Sequence, residues 1–387
     1  MGEGAFLGLD IGGTGIKGLR LDPDGRTGAR ASRPTPRGLG AQAVLVEVAA
    51  VLRELSAGGR IASVGVGTPG AVDARGVVVA EAVNIPGWKG TDLRSACEAA
   101  TGAPAVVRND ANLAAYAEWA SRQGSSSLVA RGFGPEGQIR EGPGKRAGAG
   151  RNPRDEDFCN KQGPEGQRRE DSGPRQSARN LLFVGLGTGI GGGYIEDGRI
   201  LGGTDDRAVE LGHVVIRPKG RLCACGRSGC LEAYAAGPAI AALAREMAPA
   251  HESPLASLVR SGGKAVTSRE VYEALALGDS LARAVHAEVA EALAHGIAVA
   301  LALLAPDTVV LGGGVMEGAG ALVGEVAGLV PEYVYGAAVR DCRFEAALLG
   351  ADAGLLGACL YGASRVLDRQ GLVGLASLTM DARSSRN

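Results

Sequence analysis

The densest set of reactive side chains lies between Glu210 and Glu232, where His213, Cys223, Cys225 and Cys230 bring together three of the seven cysteines and one of the four histidines. Three thiols and one imidazole are a donor set that borderline-soft Zn²⁺ takes in closed tetrahedral sites. Gly226 and Gly229 let the backbone turn tightly between ligands. The Cys-x-Cys spacing, with no ββα pattern around it, points to a structural clamp rather than a DNA-reading finger. An odd cysteine count and no secretory signal argue against a disulfide framework. Glu210 and Glu232 bracket the clamp, so metal binding would hold two carboxylates near one imidazole whose second nitrogen is free for an outer partner. That suits a hydroxyl-rich ligand. The alternative is a structural zinc loop whose glutamates face water.

A second candidate is Asp110, within Arg108-Asn109-Asp110-Ala-Asn112. Taken alone, an Asp at a helix start is an N-cap that satisfies free N–H groups. A carboxylate there can also orient an attacking hydroxyl and accept its proton in phosphoryl transfer. Three glycine turns supply the rest of that chemistry. Asp10-Ile-Gly12-Gly13-Thr14-Gly-Ile-Lys17, Gly187-Thr188-Gly189-Ile-Gly-Gly-Gly193 and Gly312-Gly313-Gly314 each follow an apolar run. Their amides can approach phosphate oxygens, and Asp10 can hold Mg²⁺ directly or through water. None has P-loop spacing, and each is also compatible with an ordinary tight turn.

These residues need elements to hold them. Phe6–Leu9 and Gly18–Leu21 form a hairpin around the first turn, and Leu181–Leu186 with Tyr194–Ile195 form one around the second. Val44, Leu45, Val48, Val51, Leu52 and Leu55 share one face of a helix over 41–55. Ile61–Val66 is a strand ending in Gly67-Thr-Pro-Gly70, and Asn84-Ile-Pro-Gly-Trp88 is a rigid turn beside an aromatic. Ala105–Val107 is a strand leading into the Asp110 helix, which runs through Ala120. Thr267 and Glu270 offer a capping box for a helical region through Leu304, broken near Gly278-Asp279. Thr308–Leu311 is a buried strand and Ala351–Val366 a last helix. The tail from Leu367 has no clear pattern.

Length and composition set the outer bounds. At 387 residues and 45% hydrophobic content, the chain can bury the cores of two or three domains. A net charge of −1 selects neither nucleic acid nor membrane. The apolar stretch 295–305 is too short to cross a bilayer and reads as a buried helix. With no basic leader before an apolar run, the expected location is cytoplasmic. Residues 121–179 differ from their surroundings: rich in Gly, Pro, Arg, Glu, Gln and Ser, they repeat Gly-Pro-Glu-Gly-Gln at 134–138 and 163–167. Such a stretch buries too little apolar surface to offset its ordering entropy, so the expectation is a disordered insertion.

Glu210-x-Gly-His213 followed by Cys223-x-Cys225-Gly-x-x-Gly-Cys230-Leu-Glu232 resembles the signature of the ROK family of sugar kinases and repressors, and the first turn resembles a phosphate loop of the actin-like ATPases to which ROK kinases belong. The resemblance covers about 6–120 and 180–366. It implies an α/β fold of two actin-like, ribonuclease-H-like domains around a cleft, with 1–118 completed by a returning helix at 351–366, a larger domain at 180–350, and a tail at 367–387. It implies ATP-dependent phosphorylation of a hexose, glucose at its 6-hydroxyl, with Asp110 as base. By position, Asn84, Asn109, Asp110, Glu210, His213 and Glu232 would hold the sugar. Asp10, Gly12, Gly13, Thr14, Lys17, Thr188, Gly189, Gly312, Gly313 and Gly314 would hold MgATP. His213, Cys223, Cys225 and Cys230 would hold structural Zn²⁺. Family members are commonly dimers or tetramers. N-acetylglucosamine or N-acetylmannosamine is the alternative substrate and polyphosphate an alternative donor. A sugar-sensing regulator or an inactive homologue is the reading from another class, and the short lead before the first strand leaves no room for a winged helix.

Overall fold

The computed structural model describes residues 4–80, 85–123, 177–262 and 266–384. Its first sheet holds β1 (Ala5–Ile11), β2 (Gly15–Leu21), β3 (Thr27–Pro34), β4 (Ile61–Thr68) and β5 (Ala105–Asn109) in the order β3-β2-β1-β4-β5. The hairpin strands β1, β2 and β3 pair antiparallel, and β4 and β5 add on in parallel. Helices α1 (Ala41–Ser56) and α2 (Leu93–Thr101) join β3 to β4 and β4 to β5. Val44, Val48, Val51, Leu52 and Leu55 form the buried stripe of α1, which packs with Leu7, Leu9, Ile11 and Trp88. Helix α3 (Asp110–Ala120) follows β5 directly.

The second sheet repeats this arrangement. It contains β6 (Asn180–Leu186), β7 (Ile190–Glu196), β8 (Arg199–Ile200), β9 (Thr308–Gly312) and β10 (Arg343–Ala346) in the order β10-β9-β6-β7-β8, with β6, β7 and β8 antiparallel and β9 and β10 parallel. Between β8 and β9 run α4 (Glu232–Ala235), α5 (Gly237–Met247), α6 (Pro254–Ser261), α7 (Ser268–Ala276) and α8 (Ser280–Leu304); α9 (Leu322–Leu329) and α10 (Gly336–Val339) precede β10. The capping box at Thr267 and Glu270 forms as its spacing predicts. Among the described residues α8 is long and apolar enough to cross a membrane, so the apolar helix is longer than 295–305. Its buried face, including Leu281, Val285, Val289, Leu293, Ile297 and Leu301, belongs to the core over the second sheet.

Between the sheets lie α3 and the returning helix α11 (Ala353–Ala363). Their backbones approach closely: a Cβ on Gly65 of β4 would sit 1.9 Å from Ala358 O, and one on Gly357 of α11 would sit 1.9 Å from Leu113 O. Only glycine permits that contact.

Three expectations need correction. Gly191, Gly192 and Gly193 are not part of a turn but residues of β7, paired with Gly185, Val184 and Phe183. Sequence periodicity could not show this, because they are small to admit α3: a Cβ on Gly193 would lie 2.7 Å from Ala115 Cβ. The segment beyond Leu367 is not patternless. It forms α12 (Arg369–Ser384), with Leu372, Val373, Leu375, Ala376 and Thr379 buried at helical spacing. The ends of the 121–179 stretch belong to the fold, since Arg122 and Gln123 are buried and the Gln123 amide donates to Ala178 O at 2.7 Å. The rest of that stretch, 124–176, lies outside the described residues.

Candidate functional site

Both hairpins open onto one cleft of about 790 Å³. At the first, Asp10 is the penultimate residue of β1, opposite Lys17 of β2. Burial pushes its carboxyl above the usual range, with Lys17 opposing. The turn is held rigid from outside: Thr35 Oγ1 donates to Gly12 O at 2.6 Å, and Arg37 Nε donates to Gly13 O at 2.9 Å. These bonds occupy carbonyls, and Gly12 N closes the turn on Gly15 O at 2.9 Å, so an anion would be met by the other amides of the turn.

At the start of α3, the cap and the carboxylate divide their duties. Asn109, rather than Asp110, is the N-cap: its Oδ1 accepts from Ala111 N at 2.9 Å and Asn112 N at 3.3 Å, and its Nδ2 donates to Gly70 O at 3.3 Å. Asp110 occupies the first helical position, where Oδ1 also accepts from Ala111 N at 2.8 Å. Burial, then the charge of Asp10, pushes Asp110 up to about 6, against the lowering effect of backbone hydrogen bonds, with Glu210 adding to the rise. A carboxyl so placed can take a proton near neutral pH.

The second hairpin is tied to the cysteine loop. Gly187 N donates to Gly189 O at 2.9 Å to close the turn, and Ile190 N donates to Glu232 Oε2 at 2.9 Å. The other oxygen of Glu232 lies 3.6 Å from Cys223 Sγ. Glu232 therefore links the turn to the cluster as well as facing the cleft. In the cluster, His213 Nδ1 and Cys223 Sγ are 3.8 Å apart, Cys225 and Cys230 Sγ 3.7 Å apart, and all four ligand atoms lie within 4.8 Å of one another. A tetrahedron with Zn–S bonds of about 2.3 Å has edges of roughly 3.8 Å, so the donor set and its spacing suit zinc. Arg217 and Arg221 stack on Tyr234 and pair with Glu288 of α8 and Glu246 of α5, anchoring the loop. Burial raises the Glu210 carboxyl, with His213 opposing and Glu232 reinforcing the rise.

Asp10, Gly13, Asn109, Asp110, Thr188, Gly189, Glu210, His213, Glu232 and Gly313 all line the cleft. Gly12, Thr14, Lys17, Gly312 and Gly314, expected at the nucleotide, are not among its lining residues, and Asn84 lies outside the described residues. Gly312 instead packs on Phe183, where a Cβ would approach to 2.6 Å. Gly313 sits at φ +89, with a Cβ position 2.3 Å from Leu186 O. The cleft also has walls that the spacing did not suggest, at Phe183, Ala208 and the 350–354 segment opening α11. Gly350-Ala-Asp-Ala-Gly354 was the available signal, small residues where a helix begins.

Two mixed sheets of matching topology, with both hairpin turns and a half-buried carboxylate at one cleft, define a two-lobed α/β architecture of the ribonuclease-H-like type. The chain belongs to the ROK family, whose model matches residues 6–134 and 169–363. It is 29% identical to a glucokinase of Halalkalibacterium halodurans over 92% of this chain and 94% of that protein. It is 28% identical to an N-acetylmannosamine kinase of Escherichia fergusonii over 92% of this chain and 97% of that protein. The crystal structure of a ROK glucokinase from Streptomyces griseus, in complex with glucose and AMPPNP, superposes with a TM-score of 0.68 at 28% identity, covering 93% of this chain and all (100%) of that one.

Proposed function

We propose that this protein transfers the γ-phosphoryl group of ATP to the 6-hydroxyl of glucose. The observation that carries the reading is Asp110, a half-buried carboxyl pushed up to about 6 by desolvation in a cleft between two glycine turns. The relatives named above support a sugar as acceptor and ATP as donor.

In this reading Asn109, Asp110, Glu210, His213 and Glu232 hold the sugar hydroxyls, together with Asn84. Asp110 orients the 6-hydroxyl and accepts its proton as the oxygen attacks phosphorus. The amides around Gly13, Thr188 and Gly189 stabilise charge on the phosphate oxygens, with adenosine near Gly313. That contribution is largely positioning and electrostatic stabilisation. Asp10 fits a Mg²⁺ ion, because its carboxylate lines the cleft near Asp110, whose charge it adds to; the ion would supply neutralisation of phosphate charge. The residues 1–118 with 351–366 act as one domain and 180–350 as the other, and their closure excludes water.

His213, Cys223, Cys225 and Cys230 would hold Zn²⁺, which fixes the loop bearing Glu210 and Glu232. The ion shapes the pocket without entering the reaction. An N-acetylmannosamine acceptor is the second reading, favoured by the similarity to the Escherichia enzyme. A coupled assay with MgATP decides between them. Turnover at low glucose with little on N-acetylmannosamine or N-acetylglucosamine is the expected result; preference for an amino sugar overturns the substrate, and no turnover on any sugar overturns the activity.

A further inference from the structure

One buried carboxylate outside the expected site joins both sides of the sugar pocket. Asp206 ends the short turn at 204–206 after β8 and is 3% exposed. Its Oδ1 accepts from Arg108 Nη1 at 2.7 Å, and its Oδ2 accepts from the backbone N–H of Asn109 at 3.1 Å. Arg108 is held from the other side by α11, donating through Nε and Nη2 to Tyr361 Oη at 3.0 and 2.8 Å. The same loop is also tied to the segment after β4, where Val72 N donates to Asp205 O at 3.1 Å.

The loop carrying Asp206 is conformationally demanding. Asp205, Asp206 and Val209 all have positive φ, at 55°, 55° and 62°. For β-branched Val209 this is a genuine outlier, kept only where the surroundings over-determine it. Ala208 and Glu210, on the same loop, line the cleft, while Asn109 and Asp110 line it from the first sheet. The spacing between Asp110 and Glu210 therefore depends on a carboxylate that does not itself line the cleft.

We infer that Asp206 is a positioning residue for phosphoryl transfer, which with Arg108 and Tyr361 fixes the Asn109–Asp110 peptide and the Glu210 arm in one register. This rests on the sugar-kinase reading. The carboxylate suits the task because it has two acceptor oxygens, one for a guanidinium and one for an amide. No neutral side chain of that size accepts both bonds without turning a donor toward a donor.

The test uses the full chain carrying Asp206→Ala, Asp206→Asn or Tyr361→Phe, with steady-state kinetics at a temperature well below unfolding and hydrogen exchange over 108–112 and 204–210. For Asp206→Ala, kcat should fall about tenfold or more and the sugar KM rise several-fold, while the ATP KM stays within about twofold, because misplacement of reacting groups by a fraction of an ångström has effects of this order. Amide exchange should quicken in both segments together. Asp206→Asn should show the same pattern at smaller size and serves where the alanine variant does not fold; Tyr361→Phe, which keeps the Asp206 bonds, should be milder still. Unchanged kcat and sugar KM in an active Asp206→Asn protein, or faster exchange in one segment alone, would overturn the inference. A wild-type protein that phosphorylates no sugar overturns the kinase reading and the catalytic role of Asp206 with it, whereas an active wild type with an indifferent Asp206 overturns only the latter.

Discussion

The two glycine hairpins have the same place in two sheets of the same topology, yet they are built differently. The first carries a charged group within its strand, Asp10, and is braced by Thr35 and Arg37 from the following segment. The second carries no carboxylate beside its turn, its own Glu196 lying at the far end of β7; it borrows one, Glu232, from the cysteine cluster forty-two residues along the chain. Its strand is thinned to Gly191, Gly192 and Gly193 so that α3 and the Glu210 loop can press against it. Symmetry of topology thus coexists with a division of labour. One hairpin brings charge to the cleft, and the other lets the second lobe approach the base.

The difference is broken most severely at the carboxylate that both hairpins face. Asp110→Asn should lower kcat by roughly 10²- to 10⁴-fold, the usual contribution of a positioned acid–base group, with little change in sugar binding. In the wild type, kcat/KM should fall below about pH 6 with the protonation of one group, since Asp110 is pushed up to about 6. The stability consequence has the opposite sign from that of a salt-bridged carboxylate. A folded-state value above the unfolded one means the folded protein holds more protons across that window, so stability falls as pH rises from about 4 to 6 and stays lower above it. Asp110→Asn should therefore raise Tm at pH 7.5 while lowering turnover. Retention of wild-type turnover at saturating sugar would show that Asp110 is not the base.

Next in size is the borrowed carboxylate's support. Zinc content near one per chain is expected by atomic emission, and Cys225→Ser or chelation should raise the sugar KM by more than about tenfold. ATP affinity should change less, because Asp10 and Gly13 lie on the other hairpin. A zinc-free wild type, with sugar affinity unmoved in Cys225→Ser, would detach the cluster from the pocket.

The architecture was legible where chemistry and periodicity coincide. His213, Cys223, Cys225 and Cys230 stand out because four soft donors in so short a segment have few other uses, and they do converge. The α1 stripe was readable because Val44, Val48, Val51, Leu52 and Leu55 recur at helical spacing within one continuous helix. What escaped notice depends on partners distant in sequence. Asp206 looks like any turn aspartate until Arg108, ninety-eight residues earlier, is placed beside it. Asn109 and Asp110 are adjacent polar residues at a helix start, and their order of duty is set by backbone geometry rather than residue type. The Gly191–Gly193 run reads as a turn because composition cannot distinguish glycine chosen for φ from glycine chosen for want of a Cβ.

That last distinction gives a smaller, sharper test of the comparison. Gly193→Ala should destabilise the fold by about 1–3 kcal/mol, as overpacking in a rigid core does, because its Cβ would meet Ala115 Cβ at 2.7 Å and Ala111 O at 2.8 Å. Gly13→Ala should leave Tm nearly unchanged and act on the ATP KM. Equal losses of Tm in the two variants, measured by thermal unfolding, would mean that both glycine sets serve packing.

The smallest effect is expected from the largest change. Gln123 and Ala178, close to either end of 124–176, are hydrogen-bonded to each other at 2.7 Å. The family match is itself interrupted over 135–168. Replacing 124–176 with a short glycine–serine link should therefore keep Tm and kcat within experimental error of wild type. Any stability gain should be small, because the entropy of closing a loop grows only logarithmically with its length. A fall in Tm of more than a few degrees, or a loss of kcat, would show that the stretch packs on the fold or contributes to the cleft.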